Sequence, residues 1–154
     1  VPMEGSTHDW WKVAQRWVFD LLDHLFLRFP KQIITVRGEL VGPGVQGNYY
    51  DLKDHEVYIF EIEINAIPIN VDPYLQLVND LQFKHAPILS SHKTLREFLG
   101  DKTLTHVSNG QSLVKPGKLR EGIVIRPMEN MTDPEFGRVI LKKRSPEYLA
   151  KSDF

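Results

Sequence analysis

The chain has 154 residues, 42% hydrophobic and 25% charged, which suits one buried core and predicts a single domain over residues 1–154. Its formal net charge is −1 and its pI about 6.6, so the chain as a whole is not a basic surface for nucleic acid and any polynucleotide contact must be local. It has no cysteine and no long apolar run, which excludes disulfides, thiolate metal sites and a membrane span, and predicts a soluble, cytoplasmic protein.

The first part of the chain predicts one helix and two strands. Apolar residues recur at helical spacing over residues 9–29, where we expect Ser6 or Thr7 to cap the helix and its three tryptophans to pack in the core. A strand is predicted over residues 32–41, closed by a glycine-rich turn, and a second strand over residues 56–65.

Strict alternation along the second strand predicts one mixed face and one apolar face. The mixed face is expected to carry Val57, Ile59, Glu61 and Glu63. The apolar face is expected to carry Tyr58, Phe60, Ile62 and Ile64.

The rest of the chain predicts short elements in no regular order. Helices are expected over residues 73–83, 94–99 and 146–151, and strands over residues 86–89, 104–107, 122–126 and 137–143. Because strands and helices do not alternate regularly, we predict an α+β fold with largely antiparallel sheets.

Three segments of the chain carry the residues that suggest a function. Residues 38–48 read Gly-Glu-Leu-Val-Gly-Pro-Gly-Val-Gln-Gly-Asn, and residues 120–126 read Arg-Glu-Gly-Ile-Val-Ile-Arg, so each segment has one carboxylate beside glycine. A third strand ends in cations, of which Lys142 and Arg144 share one face while Lys143 points to the other. Carboxylates that bind a metal and cations that bind a phosphate together predict a nucleotide site.

The order and the amino-acid sequences of these segments resemble the motifs of the ATP-dependent RNA ligases, a branch of the covalent nucleotidyltransferase superfamily. The resemblance implies a ligase adenylation-domain fold, with antiparallel sheets flanked by a few helices. It implies an enzyme that seals RNA 3′-hydroxyl and 5′-phosphate ends through enzyme-AMP and RNA-adenylate intermediates. It also implies ATP or AMP and Mg²⁺ or Mn²⁺ as cofactors, and RNA ends as partners.

The resemblance assigns a role to five residues, which we expect to surround one cleft. Glu39 matches the third-motif carboxylate, which contacts the ribose or the water shell of the metal, and Glu121 matches the metal-associated carboxylate of the fourth motif. Phe60 matches the aromatic residue that stacks on adenine. Lys142 and Arg144 match the fifth-motif cations that hold the α-phosphate; the family more often has lysine at the second position, and arginine offers a planar fork in place of a point charge.

The first motif of the family, Lys-x-Asp-Gly, is missing, and with it the lysine nucleophile. The nearest string is Pro-Met-Glu-Gly at residues 2–5, and a peptide proline nitrogen has neither a proton nor an available lone pair. Only 35 positions separate Glu4 from Glu39, whereas relatives place additional strands there. We therefore expect a truncated domain that does not form enzyme-AMP alone.

Three interpretations stay open on the sequence. The chain is part of an active RNA ligase, or a nucleotide- and RNA-binding remnant without chemistry, or another nucleotidyltransferase such as a DNA ligase or capping enzyme. The wording of residues 38–48 disfavours the third interpretation.

Overall fold

The computed structural model describes residues 8–151, which form two compact units. The first unit comprises residues 8–86 and the second residues 87–151. Each contains helices and antiparallel strands, which confirms the predicted α+β class. Within residues 8–151, no helix is long and apolar enough to cross a membrane.

The first unit packs helices against a three-stranded antiparallel sheet of order β1-β2-β3. Its elements are α1 (Asp9–Val13), a π-helical turn (Ala14–Val18), α2 (Phe19–Arg28), β1 (Ile34–Val41), a 3₁₀ turn (Gln46–Asn48), β2 (Glu56–Ile64), β3 (Ile67–Pro68) and α3 (Val71–Leu81). Its core is built from apolar residues of the helices and of β2: Val13, Leu21, Leu25, Val57, Ile59, Ile62, Tyr74, Leu77 and Phe83. Burial of each such side chain stabilises the unit by about 1.5–3 kcal/mol.

A β-bulge in β2 breaks the strict alternation that the sequence predicted. Arg37 pairs with Glu61 and Gly38 pairs with Ile59, so Phe60 is the extra residue between the two pairs. The core face therefore carries Ile59 before the bulge and Ile62 after it. Glu61 and Glu63, which follow the bulge, lie on the other face of the strand. The predicted grouping of the β2 side chains is wrong because period-two alternation cannot register an inserted residue.

The first helix forms where predicted, with corrections at its cap and its tryptophans. His8 is the N-cap, and its Nδ1 accepts a hydrogen bond from the Trp10 backbone N–H at 3.3 Å. Ser6 and Thr7 lie outside the described residues. Trp17 packs against the core, but Trp10 is 39% exposed, so core packing of all three tryptophans is wrong.

The second unit consists of short elements joined by long loops. They are α4 (Leu95–Leu99), α5 (Leu104–Ser108), β4 (Gly122–Ile125), β5 (Thr132–Asp133), β6 (Gly137–Arg138), β7 (Leu141–Arg144) and α6 (Pro146–Lys151). β4 pairs with β7 and β5 with β6, both antiparallel. The strand predicted over residues 137–143 is therefore divided between β6 and β7.

Two of the predicted strands are wrong. Residues 104–107 belong to helix α5, because the Thr103 hydroxyl accepts a hydrogen bond from the His106 backbone N–H at 3.2 Å and caps a helical turn. Residues 86–89 are irregular, and the pairing near them is an isolated parallel bridge between Ile59 and His85. Short β-branched runs do not distinguish a strand from a capped helical turn.

Candidate functional site

In the second unit, the structure brings together three of the predicted site residues. Glu121 directly precedes β4, and β7 carries Lys142 and Arg144. The Lys142 Nζ donates a hydrogen bond to Glu121 Oε1 at 2.9 Å, and Arg144 Nε lies 3.5 Å from the same oxygen. Residues more than twenty positions apart thus form one exposed cluster of a carboxylate and two cations, called here the charged cluster.

The charged cluster depends on the close pairing of β4 and β7. Gly122 lies opposite Arg144, and a Cβ added to Gly122 would lie 2.8 Å from the Arg144 Cα. A glycine is therefore required where the strands approach. Lys143 lies opposite the buried Ile123, on the other face of the ladder. The predicted division of the three cations between two faces is confirmed.

A buried hydrogen-bond network holds the end of β7. Ser145, which is 0% exposed, donates its hydroxyl hydrogen to Asn109 Oδ1 at 2.8 Å and accepts a hydrogen bond from the Tyr148 backbone N–H at 3.1 Å. The Ser145 backbone N–H donates to the Glu121 carbonyl at 2.7 Å. The network joins α5, β4, β7 and α6, and so fixes the backbone that carries Glu121 and Arg144.

Arg120 has a structural role that sequence reasoning missed. Its guanidinium donates to the backbone carbonyls of Val107 at 3.0 Å, Ser108 at 3.3 Å and Asn109. These carbonyls end α5 and have no partner within the helix, so the cation satisfies them and complements the helix dipole. No signal in the sequence separates this structural arginine from a phosphate-binding one.

In the first unit, Glu39 and Phe60 line the same open pocket of about 490 Å³. The bulge leaves Phe60 44% exposed, which corrects its predicted place on an apolar face. The other lining residues are His8, Asp9, Trp10, Gly38, Leu40, Val45 and Gln46. The pocket therefore offers an exposed aromatic ring, which can stack on a base, and a carboxylate, which can accept a hydrogen bond from a ribose hydroxyl. Sequence reasoning did not predict Trp10 as a lining residue, because its helical spacing is equally typical of a core residue.

The glycine-rich turn folds back on the segment before β2. Gly42 has φ +134°, and an added Cβ would lie 2.9 Å from the Asp54 carbonyl oxygen. His55 Nε2 donates to the Pro43 carbonyl at 2.6 Å. Asn48 closes the turn through two hydrogen bonds with the Leu52 backbone, at 2.9 and 3.0 Å. These contacts hold the turn that contributes Val45 and Gln46 to the pocket.

The sheet also buries two carboxylates against one arginine. Glu61 and Glu63 are 7% and 8% exposed, and Arg37 donates to both carboxylate oxygens of Glu63, at 2.8 and 3.3 Å. Arg37 Nε also lies 3.6 Å from Glu61. The hydrogen bond with Glu63, together with its charge, raises the pKa of Arg37. Buried carboxylates need such partners, so this arginine stabilises the acidic part of β2.

A second ion pair lies at the start of β2. Lys84 Nζ lies 2.6 Å from a Glu56 carboxylate oxygen, and the Tyr58 hydroxyl donates to the other at 2.8 Å. Burial alone would raise the pKa of Glu56, but the hydrogen bonds from Lys84 and Tyr58 outweigh it and lower that pKa. Burial and the bond to Glu56 raise the pKa of the Tyr58 hydroxyl well above its usual range.

The donor set fits a metal that is bound mainly through a nucleotide. Among residues 8–151, no three His, Asp or Glu side chains are grouped as a metal-binding cage. Mg²⁺ commonly takes one or two carboxylates together with water and substrate phosphates. Glu39 and Glu121 are exposed enough for that use, at the pocket and at the charged cluster respectively. That they serve one metal, and that all five site residues line one cleft, stays a prediction.

The comparisons with known proteins agree with the resemblance. The family model described as RNA ligase matches residues 2–144. This chain belongs to the RNA ligase family. That match also favours the RNA ligases over the DNA ligase and capping-enzyme interpretation. A search of curated proteins gave no significant match.

Solved structures of an RNA ligase family member share the fold. The structure of Naegleria gruberi RNA ligase with PPi superposes with a TM-score of 0.71 at 26% identity, covering 97% of this chain and 42% of that one. A lysine-to-alanine variant of that ligase with ATP and Mn gives a TM-score of 0.70, with the same identity and coverage. A glutamate-to-alanine variant with AMP and Mn gives 0.69, again at 26% identity, 97% and 42% coverage. The chain thus spans less than half the length of the Naegleria ligase.

Proposed function

We propose that this chain is the nucleotide-handling part of an ATP-dependent RNA ligase that seals RNA 3′-hydroxyl and 5′-phosphate ends through enzyme-AMP and RNA-adenylate intermediates. The observation that carries the proposal is the charged cluster of Glu121, Lys142 and Arg144. Two exposed cations on one strand face suit the α-phosphate, since charge-assisted hydrogen bonds to phosphate are stronger than neutral ones. The absence of cysteine supports a cytoplasmic location.

Each of the remaining site residues has a role that its surroundings support. Phe60, exposed at the bulge, stacks on the adenine ring. Glu39 faces the same pocket and binds the ribose or the water shell of a metal. Glu121, which accepts a hydrogen bond from Lys142, is the carboxylate that would hold a divalent metal when a phosphate occupies Lys142 instead. A bound Mg²⁺ or Mn²⁺ supplies Lewis-acid neutralisation of phosphate charge.

The ligands of the Naegleria ligase support this choice of cofactors. Its structures contain PPi, ATP with Mn, and AMP with Mn. Because this chain shares its fold over 97% of the residues, we propose that ATP and a divalent cation bind here as well. RNA ends are the second substrate that we propose.

A binding remnant without chemistry is the second candidate function. The sequence contains no Lys-x-Asp-Gly motif, and Pro2 stands where its lysine would be. Pro2 lies outside the described residues. Without the first-motif lysine the chain is not expected to take AMP as a phosphoramidate. The two candidates therefore have to be distinguished at the final, sealing step.

Sealing of pre-adenylated RNA separates these candidates, because that step does not use the lysine nucleophile. The 3′-hydroxyl oxygen of one RNA attacks the 5′-phosphorus of the other, the bond to the adenylate phosphate breaks, AMP leaves, and the hydroxyl proton passes to solvent. With Mg²⁺ or Mn²⁺, the 154-residue chain is expected to seal this substrate and to leave 5′-phosphorylated RNA with ATP unjoined.

The outcomes of that assay assign the function. ATP binding without sealing would favour the remnant, and neither binding nor sealing would reject both candidates. α-Labelled ATP is expected to leave no covalent label on the chain. A label stable to denaturation would show that another residue serves as the nucleophile. Lys142→Ala, which removes one of the two cations assigned to the α-phosphate, is expected to weaken ATP binding. Lys143→Ala, which removes a cation from the opposite face of β7, is its matched control.

A further inference from the structure

The two units carry opposite charge, which the net charge of the whole chain conceals. Residues 8–86 contain seven Lys and Arg against eleven Asp and Glu, a formal net charge of −4. Residues 87–151 contain twelve Lys and Arg against seven Asp and Glu, a formal net charge of +5. A polyanion is therefore attracted to the second unit and repelled by the first.

Part of this positive charge is not neutralised by neighbouring carboxylates. Within residues 8–151, the cations Arg96, Lys102 and Lys115 form no ion pair. Because the second unit also carries a net positive charge, these unpaired cations indicate a local surface for an anionic partner on that unit.

One hairpin of the second unit holds two lysines in a fixed conformation. In the segment called here the basic hairpin, residues 111–119, Gln111 pairs with Leu119. The Ser112 backbone N–H donates to the Lys118 carbonyl at 2.7 Å, and the Lys118 N–H donates to the Lys115 carbonyl at 3.2 Å. Ser112 and Leu119 are buried and anchor the hairpin. Its turn, Lys-Pro-Gly-Lys at residues 115–118, therefore holds two lysines close together.

The basic hairpin leads directly into the charged cluster. Lys118 precedes Glu121 by three residues, and an extended chain spans at most about 3.6 Å per residue, so their Cα atoms lie within about 11 Å. Between them, the Arg120 backbone N–H donates to the Gly110 carbonyl at 2.9 Å, which continues the pairing of the hairpin. The hairpin thus lies beside the cluster to which we assigned the phosphate of the nucleotide.

We propose that the basic hairpin binds the phosphodiester backbone of the RNA strand whose end is sealed, through Lys115 and Lys118. The inference rests on the proposed function and adds where the RNA lies. Lysines contact phosphates as point charges and carry no sequence information, so this surface positions the RNA and does not select its sequence. The acidic first unit discourages an RNA path over its own surface.

Binding of a short single-stranded RNA, followed by fluorescence anisotropy at several salt concentrations, tests the proposal. The test variant is Lys115→Gln combined with Lys118→Gln. The control combines Lys31→Gln with Lys53→Gln, which removes the same charge from exposed positions of the first unit. For single strands, each phosphate contact contributes about 0.7 to the slope of log K against log salt, so the test variant is expected to lower that slope by about 1.4.

The expected loss of affinity follows from the same slope. We take the electrostatic attraction to vanish near about 1 M salt. A slope lowered by about 1.4 then corresponds to roughly 25-fold weaker RNA binding at about 0.1 M salt. The control is expected to change RNA affinity less than about twofold, because the proposed RNA contacts do not include these two lysines and salt screens exposed charges. Lys115→Arg combined with Lys118→Arg keeps the charge and is expected to restore both affinity and slope.

Three results would overturn the inference. They are equal effects from the test and control variants, an unchanged slope in the test variant, and no RNA binding by the unaltered chain. ATP binding by the same preparations shows whether only the RNA-binding inference fails or the proposed function fails with it. If ATP binds normally while the slope is unchanged, the RNA surface is wrong and the proposed function stands. If neither ATP nor RNA binds, the proposed function fails as well. If the double glutamine variant does not fold, the single variants Lys115→Gln and Lys118→Gln test the inference, since each is expected to lower the slope by about 0.7.

Discussion

Removal of the Lys142 amine should weaken ATP binding far more than it weakens the fold. Lys142 is 56% exposed and its ion-pair partner Glu121 is 33% exposed. Exposed ion pairs contribute about 0–1 kcal/mol to stability, so Lys142→Ala should lower the free energy of unfolding by less than about 1 kcal/mol. Loss of one charge-assisted hydrogen bond to a phosphate costs about 1.5–3 kcal/mol of binding free energy. At about 1.4 kcal/mol per tenfold, the Kd for ATP should rise about 10- to 150-fold.

Isothermal titration calorimetry measures this Kd, and thermal unfolding of the same samples measures the stability. Lys143→Ala is the internal control. It removes an equal charge one position away, on the face of the ladder that Lys143 shares with its cross-strand partner Ile123. It should change ATP affinity less than about threefold, because only the nearer charge makes a direct contact. Equal losses from the two variants would refute the reasoning, because they would show that ATP responds to total charge and not to the face on which Lys142 lies.

Three further substitutions test other parts of the account. Phe60→Ala should weaken ATP binding by about 1–3 kcal/mol, the value for loss of one base–aromatic stack, and leave PPi binding unchanged because PPi has no base; equal losses for both ligands would exclude stacking. Glu56→Gln should flatten the dependence of folding stability on acid pH. Hydrogen bonds from Lys84 and Tyr58 lower the pKa of Glu56 in the folded protein. The ionised Glu56 therefore stabilises the fold above its unfolded pKa of 4.5, and this stabilisation is lost as the pH falls from that value through the lower, folded pKa. Denaturant titrations from neutral to acid pH measure the free energy of unfolding of the unaltered chain and of the variant. A parallel loss of stability in the two would contradict this prediction. Ser145→Ala should lower the unfolding free energy by about 1–3 kcal/mol, because the Tyr148 N–H loses its buried acceptor; an unchanged melting temperature would show that the network is not stabilising.

The sequence predicted most accurately the elements in which periodicity and end signals agree. The first helix, β1, α3, β4 and α6 lie within two residues of their predicted bounds. Residues 104–107 were predicted wrongly as a strand, since a single Thr103 hydroxyl bond decides for a helical turn there. The bulge at Phe60 was equally hidden, because an inserted residue leaves the composition of a strand unchanged.

The candidate site was predicted in part, and for a physical reason. Lys142 and Arg144 share a face because strand geometry alone requires it, whereas their ion pairs with Glu121 were not predicted and arise from the pairing of β4 with β7. The Ser145–Asn109 bond and the helix-capping role of Arg120 depend on how α5 meets β7. Such long-range contacts leave no periodic signal in the sequence, so side chains that support a site are found only in the folded structure.

A crystal structure of the 154-residue chain with ATP and Mn²⁺ tests the central claim most directly. The account predicts that the adenine ring stacks on Phe60, and that the α-phosphate lies within hydrogen-bond distance of Lys142 and Arg144, with Glu121 turned from Lys142 towards the metal. A nucleotide bound elsewhere, with the Lys142–Glu121 ion pair intact and Phe60 uncovered, would contradict it.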